Sequence, residues 1–183
     1  MTTAWIRAHR ALPATTGTVV LSVLSLLTAR SAINVGPGMP VRTTWFTLMG
    51  VVLLSGLPLY PVFGLLERTF ARGRWNRFLR SGLTAALVWA AAVTVGFVAP
   101  AEVITWFVLL ASLGLVAVGF TAERSWALVL VAGAGSITFD HMVLSSPVSA
   151  AMVALGLPLA SCAYAVAWLV FLLAPSRATP SAA

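Results

Sequence analysis

The sequence predicts an all-α fold: a polytopic membrane helix bundle of about six transmembrane helices with both termini cytoplasmic. Three observations carry that prediction. Hydrophobic residues make up 60% of the chain and charged residues 8%, where a soluble domain is about a quarter charged. So few charges cannot cover a water-facing surface. Apolar runs follow one another along almost the whole chain, and about 20 such residues suffice for one crossing. The eleven basic residues are all Arg, gathered at the ends of those runs, where Arg acts as topology signal and anchor. A transmembrane barrel would alternate apolar and polar residues with period two, whereas Trp106 to Ala111 is continuously apolar.

The expected spans follow in order. The first is Ala14 to Ser31, with Pro13 suited to a first-turn position. Arg7 and Arg10 before it could belong to a secretory leader, but further spans follow and the segment reads as a first membrane helix. The second is Thr44 to Leu66, interrupted by Gly56-Leu57-Pro58-Leu59-Tyr60-Pro61. The third, Ser81 to Ala99, is divided by Pro100 from the fourth, Ala101 to Ala122. The fifth is Trp126 to Leu144. The sixth, Val148 to Ala174, opens after Ser145-Ser146-Pro147 and contains Gly156-Leu157-Pro158-Leu159. Residues 1–174 thus form one transmembrane domain, and 175–183 a small polar tail expected to be disordered.

Arginine placement sets the orientation. With the N-terminus inside, the inner segments hold nine arginines: Arg7, Arg10, Arg68, Arg72, Arg74, Arg77, Arg80, Arg124 and Arg177. The outer segments hold two, Arg30 and Arg42. The positive-inside rule therefore puts both termini in the cytoplasm, in a multi-pass protein of the bacterial plasma membrane.

Several function classes are excluded. The net charge of +7 sits at span ends and forms no soluble basic face, so nucleic acid is not an expected partner; the lipid bilayer is. One cysteine, Cys162, allows no disulfide within the chain, and two His with one Cys give no metal-ligand spacing. No phosphate-binding loop of the Walker type is present, so any ATP is handled by another subunit. Neither a cofactor nor an enzyme activity is expected.

The candidate functional residues fall into three groups. In the segment between the second and third spans, Trp75, Phe78 and Leu79 recur at i, i+3 and i+4, with Arg74, Arg77 and Arg80 on or near the other side and Arg72 opening the stretch. That pattern suits a short amphipathic interfacial helix, either a topology anchor or an element that docks in a groove of a cytoplasmic partner. Asp140 is the acidic residue well inside a span. Ser136 lies one turn earlier on the same face, and His141 points about 100° away. These three are read as a proton or ion relay, as a catalytic set, or as a partly wet helix end. The catalytic reading is the weakest, because Gly135-Ser136 lacks the strand–Ser–helix setting of a hydrolase elbow. Finally, Pro58, Pro61 and Pro158 are expected to kink the second and sixth helices, as at transporter substrate paths or in ordinary packing.

Gly133, Gly135, Ser136, Gly156, Ala160 and Ser161 permit close helix approach, within the bundle or across a homo-dimer. Several tryptophans, among them Trp5, Trp45 and Trp126, lie near span ends as interfacial anchors.

The span number, the inner termini and the basic loop at Leu65 to Arg80 together resemble the permease subunits of ABC-2-type exporters. Trp5-Ile6-Arg7-Ala8-His9-Arg10 looks like the short interfacial helix ahead of their first span, and the lysine-free, Ala/Leu/Val/Arg-rich composition resembles actinobacterial members. The resemblance implies an export permease for a small or amphipathic molecule, with the basic loop contacting a separate cytoplasmic ATPase subunit. Two other readings stay open: the substrate-binding membrane component of a vitamin-type transporter, and a non-transporting accessory or immunity membrane protein.

Overall fold

The computed structural model describes residues 10–34, 40–59, 73–121, 125–143 and 147–173; for 40, 73–74, 121, 136–143 and 147–155 it describes the backbone alone. The described chain is all-α, with six α-helices: α1 (Ala11–Leu27), α2 (Thr43–Ser55), α3 (Gly73–Gly96), α4 (Ala101–Thr121), α5 (Ser125–Val143) and α6 (Pro147–Leu173). Three stretches are long and apolar enough to cross a membrane: Trp75–Gly96, Ala101–Phe120 and Gly156–Leu173. The apolar stretches of the other three helices are shorter among the described residues. At 17 residues, α1 rises about 25 Å, short of a hydrocarbon core of about 30 Å.

Four local features differ from the sequence reading. The expected loop after the first span contains a two-stranded antiparallel ribbon, β1 (Ala32–Asn34) and β2 (Pro40–Arg42), with Ile33 opposite Val41. β-branched residues favour such a pairing. Ser31 and Thr43 clasp its base: the Thr43 N–H donates to the Ser31 carbonyl at 3.1 Å, and the two hydroxyls lie 2.9 Å apart. Second, α2 stops at Ser55 and passes through Gly56 into a 3-10 turn, Leu57–Leu59. Pro58 has no N–H to continue the helix. Third, no boundary separates the basic segment from the third span. The helix runs unbroken from Gly73 through Ser81 to Gly96, because nothing there stops a helix: Gly82 is tolerated inside it. Fourth, α6 is one continuous helix through Pro158.

The core is built around α2, α3 and α4, with Leu48, Val51, Val88, Val95, Phe107, Val108 and Leu115 essentially buried. The most extensive pairings are α4 with α6 and α1 with α2. Both use glycine at the contact. A Cβ on Gly17 of α1 would meet Leu54 of α2 at 2.5 Å, and one on Gly50 of α2 would meet Leu21 of α1 at 2.7 Å. Each helix therefore takes a leucine of the other. On α6, Gly156 faces Thr105 of α4, and Ala160 is fully buried. The small pair Gly156/Ala160 thus serves packing inside the bundle.

Large apolar side chains also face outward, and on α1 the distribution is inside-out. On α1 the buried positions are Ala11, Ala14, Thr18, Ser22 and Ser25, while Leu12, Val19, Val20, Val23, Leu24 and Leu27 face outward. On α6, Leu157, Leu159, Val166, Leu169 and Leu173 are exposed around a buried Ala160, Tyr164, Ala167 and Phe171. Soluble monomers rarely expose contiguous apolar patches above a few hundred Å², and outward rows of Leu and Val on two helices suit lipid instead. Small and hydroxylated residues at helix contacts are what association within lipid selects. The fold is compatible with a membrane protein.

Candidate functional site

The described part of the basic segment, residues 73–80, forms the first turns of α3, and the structure splits its faces. Trp75, at 58% relative exposure, leads an outward apolar stripe with Phe78 and Leu79. Arg80 points the other way and is 6% exposed, engaged within the fold; Arg77 is half-buried. Arg72 and the side chain of Arg74 lie outside the described residues.

This end of α3 is docked on the C-terminal end of α6. Trp75 stacks on Phe78 at 5.8 Å between ring centroids, and Phe78 meets the edge of Trp168 at 5.7 Å. The Arg77 guanidinium lies 5.9 Å from the centre of the Phe171 ring, with Nη1 within 3.5 Å of the Leu172 carbonyl oxygen. A cation suits a helix C-terminus, where carbonyls are unpaired and the macrodipole is negative. Part of the aromatic stripe is therefore used inside the molecule, while Trp75, Phe78 and Leu79 all stay exposed, Trp75 the most. About three turns further along α3, Trp89 meets the ring of Tyr164 edge to face at 6.0 Å, one turn before Trp168 on α6, extending the same α3–α6 contact.

A cavity of about 450 Å³ lies between α2, α3, α4 and α5, within the usual range of about 300–1,000 Å³ for small-molecule sites. Its walls come from the C-terminal end of α2 and the following turn (Val52 to Leu57, Leu59), from Thr84 and Val88 of α3, from Ala111 to Val118 of α4, and from Trp126 and Val129 of α5. Arg10, at the head of α1, completes the lining. The elements therefore converge at one end of the bundle, the end holding the N-termini of α1 and α5 and the C-terminus of α2.

Two residues here carry unusual chemistry. Arg10 has φ 52°, the one left-handed non-glycine backbone among the described residues. Such a conformation costs on the order of 1–3 kcal/mol and gathers at functional sites. Thr84 is 3% exposed, and its hydroxyl has no hydrogen-bond partner. Most hydroxyls in these helices donate to a preceding carbonyl: Ser55 to Val52, Ser81 to Phe78, Thr105 to Ala101 and Ser112 to Val108. The Thr84 hydroxyl does not; the residue lines the cavity, but its hydroxyl oxygen is buried away from that space. Thr18, Ser22 and Thr44 also hold unpartnered buried hydroxyls, away from the cavity lining.

Sequence reading did not single out Arg10, except as a topology charge, nor Thr84. The available signal was spacing: Arg80 and Thr84 are one turn apart, and Gly114 and Gly56 mark thin walls nearby. Of the expected intramembrane polar group, Ser136, Asp140 and His141 lie on the backbone of α5, and their side chains fall outside the described residues. Pro58 is buried at the end of α2 and borders the cavity-lining turn. Pro158 is exposed on α6, remote from the cavity lining, and Pro61 lies outside the described residues. Among the described residues no three His, Cys, Asp or Glu side chains cluster as metal ligands. Cys162 is an exposed free thiol on α6.

No family model, curated protein or solved structure matches this chain.

Proposed function

We propose that the protein is a multi-pass subunit of a bacterial plasma membrane transporter, a permease-like helix bundle that handles a small or amphipathic molecule and works with a separate cytoplasmic ATPase. The single observation that carries this reading is the cavity formed where α1 and α5 begin and α2 ends. Arginine placement assigns that end to the cytoplasm, because Arg7, Arg10, Arg77, Arg80 and Arg124 lie near it in sequence while Arg30 and Arg42 mark the opposite end. A pocket reached from the cytoplasm suits export. It fits poorly with a vitamin-type component that captures its ligand from outside.

The outward Trp75 and Leu79 at the head of α3 supply the coupling surface, and Arg77 with Phe78 fixes that surface to α6. A rigid connection is useful there, since movement imposed by a partner on the head of α3 reaches Thr84 and Val88, which line the cavity on the same helix.

The test is purification in mild detergent from the cells that naturally make the protein. An ATPase subunit is expected to copurify. Replacing Trp75 and Leu79 together by Ser should release it while the bundle stays folded. Retention of the ATPase by that variant would refute the coupling role. The absence of any nucleotide-binding protein, with the bundle intact, would refute the transporter reading in favour of an accessory membrane protein.

A further inference from the structure

We propose that Arg42 is the counter-charge of Asp140, and that the pair closes the outer end of the α2–α5 contact, opposite the cavity. This gives a role to the acid that lies well inside an expected span. It rests on the transporter reading only in calling that end outer.

Register carries the argument. Three points show how α2 and α5 lie against each other. Ser55 of α2 and Trp126 of α5 line the same cavity. Val52 and Val129 both meet the position that a Cβ on Gly114 would take, at 3.9 and 3.5 Å. A Cβ on Gly133 would lie 2.8 Å from Sδ of Met49. The numbers fall along α2 as they rise along α5, so the two helices pack antiparallel. Seven residues beyond Gly133, α5 reaches Asp140; seven residues before Met49 stands Arg42, the N-cap of α2. Seven residues make about two turns, with a rise of about 10 Å and a rotation only about 20° short of full. Asp140 therefore holds the register position level with Arg42, on the stripe of α5 that also carries Trp126, Val129 and Gly133.

The charges at this end favour the same pairing. A carboxylate on a membrane helix is costly unless it is paired or wet. Arg42 is exposed, and the first turn of α2 holds no acid. A cation at a helix N-terminus meets the macrodipole with the wrong sign, so a carboxylate beside it relieves both groups. The alternatives are placed less well. Glu102 sits in the first turn of α4, where that helix's own dipole favours it. Arg30 follows α1, which packs on α2 and α3. The cavity gathers at the Arg10 end, and closure at the opposite end leaves the bundle open on one side only.

The experiment uses the full chain in nanodiscs, with Cys162→Ala throughout. Arg42→Cys with Asp140→Cys is oxidised, and linked peptides are mapped by mass spectrometry. A link between 42 and 140 is expected, and none between Arg42→Cys and Trp126→Cys. Charge is read separately with Ser136→Cys as reporter, one turn deeper on α5. Its reaction with a charged maleimide should be slow. Arg42→Gln or Asp140→Asn should speed it about twofold to fivefold, the worth of one exposed ion pair. Both changes together should speed it no more than either alone. The exchange Arg42→Asp with Asp140→Arg should restore the slow rate, and neither half of it alone should. Arg30→Gln should leave the rate unchanged.

Absence of the 42–140 link in folded protein would overturn the register. A link with additive charge effects, or without recovery in the exchanged protein, would show proximity without pairing and overturn the proposal too. So would an effect of Arg30→Gln in place of Arg42→Gln. Should a single charge variant fail to fold, recovery of the folded bundle by the exchange supports the pair, and no recovery refutes it. None of these readouts needs an ATPase or a transported molecule. Their failure leaves the transporter reading standing, and loss of that reading leaves them intact.

Discussion

Replacing Gly156 by Ala would place a methyl group 3.0 Å from Cγ2 and 3.1 Å from Oγ1 of Thr105. The neighbour has little room to move. Thr105 is buried, and its hydroxyl is fixed by donation to the Ala101 carbonyl at 2.9 Å. A β-branched side chain in a helix has few rotamers to escape into. Ala gains about 0.8–1 kcal/mol over Gly in helix propensity, while forcing a methyl into a packed contact costs about 1–3 kcal/mol. The net expectation is a loss of up to about 2 kcal/mol. Gly82 provides the control, because a Cβ there meets nothing within 4 Å. Gly82→Ala should be neutral or stabilising by up to about 1 kcal/mol. Thermal unfolding of both variants in the same mild detergent reads the difference. If Gly156→Ala proves as stable as Gly82→Ala, the close α4–α6 approach described above is wrong.

Other outcomes follow from the same packing. Ser25 and Thr47 join their hydroxyls across the buried α1–α2 contact, and a double-mutant cycle of Ser25→Ala with Thr47→Val should give a coupling of about 0.6 kcal/mol, with about 1.7 as the ceiling; zero coupling would contradict the pairing. Arg80→Ala should destabilise the bundle by about 1–3 kcal/mol through lost packing and orphaned partners, measured by the same unfolding assay, whereas Arg30→Ala, at an exposed site, should change little. Equal behaviour of the two would remove Arg80 from the interior.

The helical class was legible because composition and run length report the surroundings of the chain directly. Pro100 marked the α3–α4 break correctly, since α3 ends at Gly96 and α4 starts at Ala101. Gly156 and Ala160 were legible as close-packing positions, though only the structure shows that α4 covers them. The continuity of α3 was not legible. Arginines look like a loop to hydropathy, yet Arg is a good helix former, and the Phe171 ring and the Leu172 carbonyl receive Arg77. The ribbon at Ala32–Asn34 escaped because three-residue strands leave no periodic signal. The cavity was invisible for a different reason: its lining runs from Arg10 to Val129 across five helices, and no local pattern records which side chains a bundle brings together. Thr84 became a candidate only once its hydroxyl was seen without the carbonyl partner that its neighbours have.

The central claim is a bundle set in the plasma membrane with the Arg10 end and its cavity toward the cytoplasm. Single cysteines in a Cys162→Ala background test it most directly. Asn34→Cys, exposed in the ribbon, and Arg10→Cys, exposed at the head of α1, are treated with a membrane-impermeant maleimide on intact cells. The account predicts labelling at position 34 in intact cells and at position 10 only after permeabilisation. Labelling at position 10 in intact cells, or at neither position until the cells are opened, would contradict it.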